Sequence, residues 1–437
     1  MSIESSIIFK PSLKMLSKTM LSNFTNITAK FFFIAALFPF VSFGTNTMDS
    51  QPHYIVLALF SFTFFTFSGL IFRKAIDLII FLMIILLTLV IFDTNYDFTF
   101  FRAIASYSGF IITLVVSIIF FERFGIPIKT IVIVNLIYIF AGLIQLNFGG
   151  YALDFLVLSN SADPSISGGV MSLTPEHTFF GIVLFFFSWI LLIIYDYKPP
   201  IKIAFLVLIN ILSIFLLAKS AMVIVFLIVT AGFYSLRHLI IGRSLKKGLI
   251  IAIASFIFIY GFIMLFPGSR FAGMVDFDSQ VHGGLIGKIN EVMRTDGSVN
   301  DRVLNVVFPY FGIVINHGLP GGLHSFYDMS IILVEYFDGY FWAGLGSNKI
   351  LSFIGSFIYE LSVIGIIFIL YMYWFLKDNN PNRFFELILL FVVLNSAIAV
   401  GFSLVPILMA IMYFKKSNPV LKSQNYDSPP DSEKKYQ

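Results

Sequence analysis

The 437-residue sequence contains no cysteine, which removes disulfides, thiol nucleophiles and cysteine-bound metal together. Charge is scarce as well. Only 12% of residues are Asp, Glu, Lys or Arg, about half the fraction usual in a soluble domain. Six histidines are present, with no pair at metal-ligand spacing, and there is no phosphate-binding glycine loop or dinucleotide fingerprint. Energy from ATP is therefore not expected to enter through this chain, and no cofactor or metal is expected. The net charge of +4 comes from basic residues clustered in short loops, where they set membrane orientation, so nucleic acid is not implied.

What the sequence does have is hydrocarbon. Hydrophobic residues make up 58% of the chain and 55 of them are Phe, more apolar surface than one soluble core can cover. They fall in blocks of about 18 to 25 residues, long enough to cross a hydrocarbon layer of roughly 30 Å. The expected fold is an all-α polytopic membrane protein.

Lys10, Lys14, Lys18 and Lys30 precede an apolar run from Phe31 to Phe43 that lacks a small-residue cleavage site. This reads as an uncleaved first helix with a cytoplasmic N-terminus. Further spans are predicted at 54–72, 76–92, 103–121, 128–147, 177–195, 202–217, 220–235, 248–266 and 351–375. Counting from a cytoplasmic start places Arg73, Lys74, Arg123, Lys129, Lys198, Lys202, Arg237, Arg243, Lys246, Lys247, Lys377 and Arg383 inside, as the positive-inside rule requires. The stretch from Phe385 to Phe414 is too long for one crossing, and Gly401 and Pro406 offer a break, so it is predicted to be a hairpin of two short helices. The total is about 12 spans.

The predicted organisation is a cytoplasmic segment at 1–30, a first transmembrane part at 31–266 with an outward loop at 147–175, a large outward loop at 267–349, a second transmembrane part at 350–414, and a polar, disordered tail at 415–437. The large loop, between the ninth and tenth spans, is expected to be a partly helical folded element or lid, and function is expected there.

Five places carry chemistry. In Ser172-Leu173-Thr174-Pro175-Glu176-His177-Thr178, Thr174 can cap a helix that Pro175 begins. Glu176 would then stand in the first turn at the mouth of the bundle. It can act as a base toward a sugar hydroxyl, or simply complement the positive end of the helix dipole. Lys219 lies in the short link Leu217-Ala218-Lys219-Ser220-Ala221 on the outward side. It is either a phosphate partner or a lysine snorkelling to the headgroups. In Ser298-Val299-Asn300-Asp301-Arg302, Ser298 and Asp301 form a candidate capping box that would put Arg302 near a helix N-terminus. That is a suitable site for pyrophosphate, or else the start of an amphipathic helix resting on the bilayer. Arg270, Arg294 and His324 sit in the same loop, His324 as a candidate acid or base. Glu360, inside the tenth span, is either functional or bonded to a neighbouring helix.

These segments resemble the O-antigen and capsule polymerases of the Wzy type, which share a superfamily with the O-antigen ligases. Ser172 to Thr178 with Gly181 is similar to the family's "SL.PE.T..G" stretch, Lys219-Ser220 falls where the family often has Ser-Arg, and Glu360 to Gly365 resembles its "E.G..G" helix. Ligases tend to carry His-Asn ahead of that helix, where this chain has Leu351 and Ser352. The resemblance implies an inverting glycosyltransferase at the periplasmic face of a bacterial inner membrane. It would move a glycan from undecaprenyl pyrophosphate to the terminal sugar of another lipid-linked unit. Glu176, with His324 second, would be the base, and Arg302, Lys219, Arg102 and Arg270 the cations for the pyrophosphate. A chain-length regulator and a flippase of the same pathway would be partners. A lipid-linked oligosaccharide flippase is the rival, although flippases tend to show two similar halves and no such repeat is present.

Overall fold

The computed structural model describes residues 13–41, 52–70, 73–93, 95–153, 155–157, 169–240, 284–344, 349–396 and 398–417, with scattered positions between 246 and 264. Within them there is no strand. The helices are α1 Leu13–Ala36, α2 His53–Phe67, α3 Arg73–Phe92, α4 Phe98–Phe124, α5 Ile128–Phe148, α6 His177–Ile194, α7 Ile201–Ser213, α8 Ala221–Ile240, α9 Gly284–Thr295, α10 Gly297–Ile315, α11 Phe326–Tyr336, α12 Phe353–Leu361, α13 Val363–Leu376, α14 Pro381–Leu394 and α15 Leu404–Ser417. Among the described residues, six helical stretches are long and apolar enough to cross a membrane. Proline fixes several starts: Pro52, Pro127 and Pro200 occupy the N-cap positions of α2, α5 and α7, and Pro381 opens α14.

The apolar face of α3 shows what solvates the bundle. Ile76, Ile80, Met83, Ile84, Leu87 and Ile91 are exposed along one side, while Ala75, Leu78, Leu82, Ile85 and Leu89 are buried on the other. Two apolar faces on one helix suit lipid outside and protein inside. α4 and α6 are the most enclosed of these stretches, and both pack against α15. Small residues let the helices close up: Gly109 of α4 faces the Ile55 side chain of α2 so tightly that a Cβ would lie 2.8 Å from it.

Two predicted spans change shape. The apolar run 31–43 is not a helix of its own, because α1 begins at Leu13 and ends at Ala36, where the chain turns ahead of Pro39. The tenth span is not continuous. α12 and α13 meet at Ser362, whose backbone is at φ 53 and ψ −126, and the chain doubles back so far that Phe357 stacks on Phe368 with ring centroids 5.0 Å apart. A straight helix would hold two residues at that spacing about 16 Å apart. The sequence Ser362-Val363-Ile364-Gly365 permits the turn, since a Cβ at Gly365 would fall 1.8 Å from the Phe357 carbonyl oxygen. The final stretch does form two helices, with the break at 395–403; it includes Gly401, while Pro406 sits in the first turn of α15. Of the predicted disordered tail, 415–437, the residues 415–417 belong to α15 instead, and the rest lies outside the described residues, as does most of the predicted ninth span, 248–266.

The large loop has its own core. Met293, Leu304, Phe308, Phe326, Met329, Leu333, Phe341, Ile350 and Tyr359 form a cluster separate from that of the bundle. Buried Asn300 organises it. Its amide nitrogen donates to the carbonyls of Met293 (2.9 Å) and Tyr340 (3.0 Å), and its oxygen accepts from the amides of Trp342 (3.0 Å) and Ala343 (3.1 Å). Every hydrogen-bonding atom of this side chain is thereby satisfied inside the fold.

Candidate functional site

A cavity of about 490 Å³ lies where the loop core meets the bundle, a size typical of ligand sites. Its wall includes Arg102 from α4, Glu176 and Thr178 from the start of α6, Asp301 and Arg302 from α10, Lys349, Glu360 of α12, and residues 398–402 between α14 and α15. Three cations and three carboxylates from distant parts of the chain thus share one space.

Glu176 is held there by a built turn. Gln145 of α5 accepts from the amide of Met171 (3.0 Å) and from that of Ser172, and donates to the Ser172 carbonyl (3.1 Å). Ser172 adopts φ 56, a left-handed conformation that its own hydroxyl, donating to the Tyr138 carbonyl at 2.6 Å, helps to fix. α6 then begins at His177, two residues later than the sequence suggested, because Pro175 lies ahead of the helix and Glu176 itself is the N-cap residue with extended backbone. Its carboxylate makes no capping hydrogen bond, and the residue lines the cavity.

Arg302 is also displaced from its predicted place. The cap of α10 is Asp296, whose Oδ1 accepts from the amides of Ser298 (3.0 Å) and Val299 (3.1 Å). Ser298 and Asp301 form no capping box, since an Asp one residue before Gly297 accepts the same orphan amides. Arg302 consequently sits in the second turn, where its Nη2 approaches Thr178 Oγ1 at 3.4 Å across the cavity. Asn305, one turn on, donates to Asp301 Oδ1 (3.0 Å) and accepts from the Leu351 amide (2.8 Å). It ties α10 to the segment carrying Lys349. Asp301 needs Gly344 beside it, because a Cβ there would lie 1.8 Å from Oδ1 and Gly344 has φ +73. Burial raises the Asp301 carboxyl above the usual carboxylate range, against the opposing charge of Arg302 and the hydrogen bond from Asn305.

Glu360 closes the floor. Tyr107 of α4 donates to its Oε2 at 2.6 Å. The α12 carbonyls of Tyr359 and Glu360 accept from the amides of Gly321 (2.9 Å) and Gly322 (3.4 Å) of the large loop, so a helix that ends among apolar residues has its terminal carbonyls paired.

His324 lies beside the cavity and does not line it. Its Nδ1 is 2.8 Å from Asp93 Oδ1 and its Nε2 3.1 Å from Asp97 Oδ1. Asp93 also accepts from the Leu323 amide at 3.0 Å. Burial lowers the His324 pKa, but the hydrogen bonds and charges of Asp93 and Asp97 outweigh it and the net shift is upward. With both ring nitrogens turned to carboxylates, His324 is placed as a clamp between the loop and the α3–α4 turn rather than as a base facing the cavity.

Lys219 is exposed at the end of the π-helical turn Ile214–Ala218, in a left-handed conformation with φ 48, and it is not on the cavity wall. Its neighbours anchor the Glu176 turn instead, through the Val170 amide donating to the Leu217 carbonyl at 2.9 Å. Arg270 lies outside the described residues. The sequence reading did not single out Lys349, Asp93 or Asp97, and took Asp301 only for a cap. The polar stretch from Asp93 to Asp97 between two predicted spans was the available signal for the clamp.

Among the described residues no group of three His, Asp or Glu side chains is arranged to hold a metal ion. The chain matches no protein-family model, no curated protein and no solved structure.

Proposed function

We propose that this protein is a polymerase of lipid-linked oligosaccharide repeat units, O-antigen or capsule, working at the periplasmic face of a bacterial inner membrane through a bundle of about 12 spans. The observation that carries the reading is the meeting of Glu176 with Arg102 and Arg302 around one cavity beneath the loop core.

Polymerisation needs two kinds of group there. As the anomeric carbon leaves its carrier, the C–O bond to pyrophosphate breaks and the electron pair stays on the phosphate oxygen. Arg302 and Arg102 supply fixed positive charge for that oxygen, with Lys349 a third source. The acceptor hydroxyl forms the new C–O bond from the opposite side and passes its proton to the Glu176 carboxylate. Displacement from the far side inverts the anomeric centre. Positioning both lipid-linked substrates in one cavity supplies the rest of the rate.

The test is deletion of the gene followed by electrophoresis of the surface polysaccharide. A single repeat unit in place of the ladder is expected. An absence of any repeat unit, the phenotype of a lost flippase or ligase, would contradict the proposal.

A further inference from the structure

A second cavity, of about 560 Å³, opens between α6, α7, α8 and α14, in the half of the bundle away from the site cavity. α6 joins the two: Thr178 and Ile182 line the first, Phe185 and Leu192 the second. The walls of the second are almost wholly hydrocarbon, with Phe185, Trp189, Phe215, Ile228 and Phe233 among them. The hydroxyls of Ser188 and Thr230 on this wall donate within their own helices, to the Leu184 and Phe226 carbonyls.

Among the described residues, one cation stands on this wall. The Arg237 guanidinium lies 5.2 Å from the ring centres of both Tyr197 and Tyr234, and its Nε donates to Asn382 Oδ1 at 2.6 Å. Two aromatic faces and one amide hold the fork rigidly. Its Nη1 is enclosed and has no hydrogen-bond partner among the described residues. Such a donor, left unbonded, is costly. Glu386, also on the wall, does not neutralise it, because Arg383 lies 2.8 Å from the Glu386 carboxylate. Lys415, paired with Asp196 at 2.7 Å, adds a third cation to this end against two carboxylates.

We infer that this cavity binds one anionic phospholipid of the surrounding bilayer, with an acyl chain in the apolar slot and the headgroup phosphate on the Arg237 guanidinium. A hydrocarbon slot ending in a fixed, partly unbonded guanidinium matches an amphiphile with a negative head, and basic pockets between membrane helices recognise such heads. The α6 N-terminus carries Glu176 and its C-terminal half walls the slot, so the lipid braces the helix that presents the proposed base. The binding itself is independent of the reaction proposed above.

The test is native mass spectrometry of the purified full-length protein, titrated separately with phosphatidylglycerol and phosphatidylcholine. The wild type should retain one phosphatidylglycerol in preference to phosphatidylcholine. Arg237→Gln should weaken that retention about tenfold or more, the loss of one charge-assisted contact, whereas Arg237→Lys should keep most of the preference for the anionic lipid. Ala231→Phe, which fills the slot while leaving Arg237 in place, should also abolish retention. Equal retention of the two lipids by the wild type, or unchanged phosphatidylglycerol retention in both Arg237→Gln and Ala231→Phe, would overturn the inference. A bound isoprenyl phosphate in place of phospholipid would overturn it as well.

Discussion

At the scale of single residues, the site depends on side chains whose placement is set by neighbours rather than by themselves. Glu176 faces the cavity because Gln145 and Ser172 hold the turn before it. Glu176→Gln keeps the shape and removes the basicity, so polymer formation should fall by about 100-fold or more at normal protein level, within the range of a lost general base. Polysaccharide quantified against immunoblotted protein measures this, and an unchanged yield would leave Glu176 only its place at the helix dipole. For Arg302, Lys keeps charge without the fork, so it should retain part of the activity while Ala retains almost none. Full substitution by Lys would mark an interfacial arginine. At Gly344, φ +73 and the Asp301 oxygen together exclude a side chain. Gly344→Ala should therefore cost roughly 1–3 kcal/mol of stability, visible as a lowered unfolding temperature in detergent.

At the scale of elements, the sequence made several spans and the break in the last apolar stretch legible, and concealed the break in the tenth. α3, α5 and α7 start and stop close to where hydropathy and proline place them, because lipid leaves a helix few alternatives. The division of the tenth span at Ser362 was hidden. It depends on loop amides reaching the carbonyls of α12, and on Phe357 packing against Phe368, which no local pattern records. Gly365→Val should disrupt that turn and lower the unfolding temperature, whereas a continuous helix would accept Val there. The cap of α10 was misplaced for a local reason: Asp296 and Ser298 both suit the position, and only the fold decides between them.

The His324 clamp is likewise an element-scale device. Its pKa is raised above the ordinary value of 6.5, so its contribution is complete below that value and is lost as pH rises through the raised one. Asp97 is lowered from 3.8, chiefly by the Phe100 amide, so its contribution is lost only as pH falls through the depressed value. The protection of amides across 316–326, taken as the exchange rate relative to the base-catalysed intrinsic rate at the same pH, should accordingly be greatest between the two and fall on the alkaline side. His324→Ala should remove that alkaline fall in protection, and its persistence in the variant would dissociate it from the clamp.

At the scale of the whole molecule, Arg102, Glu176, Arg302 and Glu360 stand 74, 126 and 58 positions apart in succession, yet line one cavity. The sequence supplied the chemical types and a predicted common side, while the convergence required the loop core to dock on the bundle. Lys219 illustrates the limit: the sequence predicts it on the same side as Glu176, yet it is not on the cavity wall, a distinction that spacing does not carry. Because the chain has no cysteine, one introduced thiol reports on this cavity without background. Ser298 lines it and lies outside the core. The most direct measurement treats spheroplasts making polysaccharide through Ser298→Cys with a membrane-impermeant maleimide, and follows both labelling and polymer length. If the cavity is the transfer site and opens to the outer face, the thiol labels and the ladder collapses to single repeat units, while the wild type is unaffected. Complete labelling with an unchanged ladder, or labelling only after lysis, would contradict it.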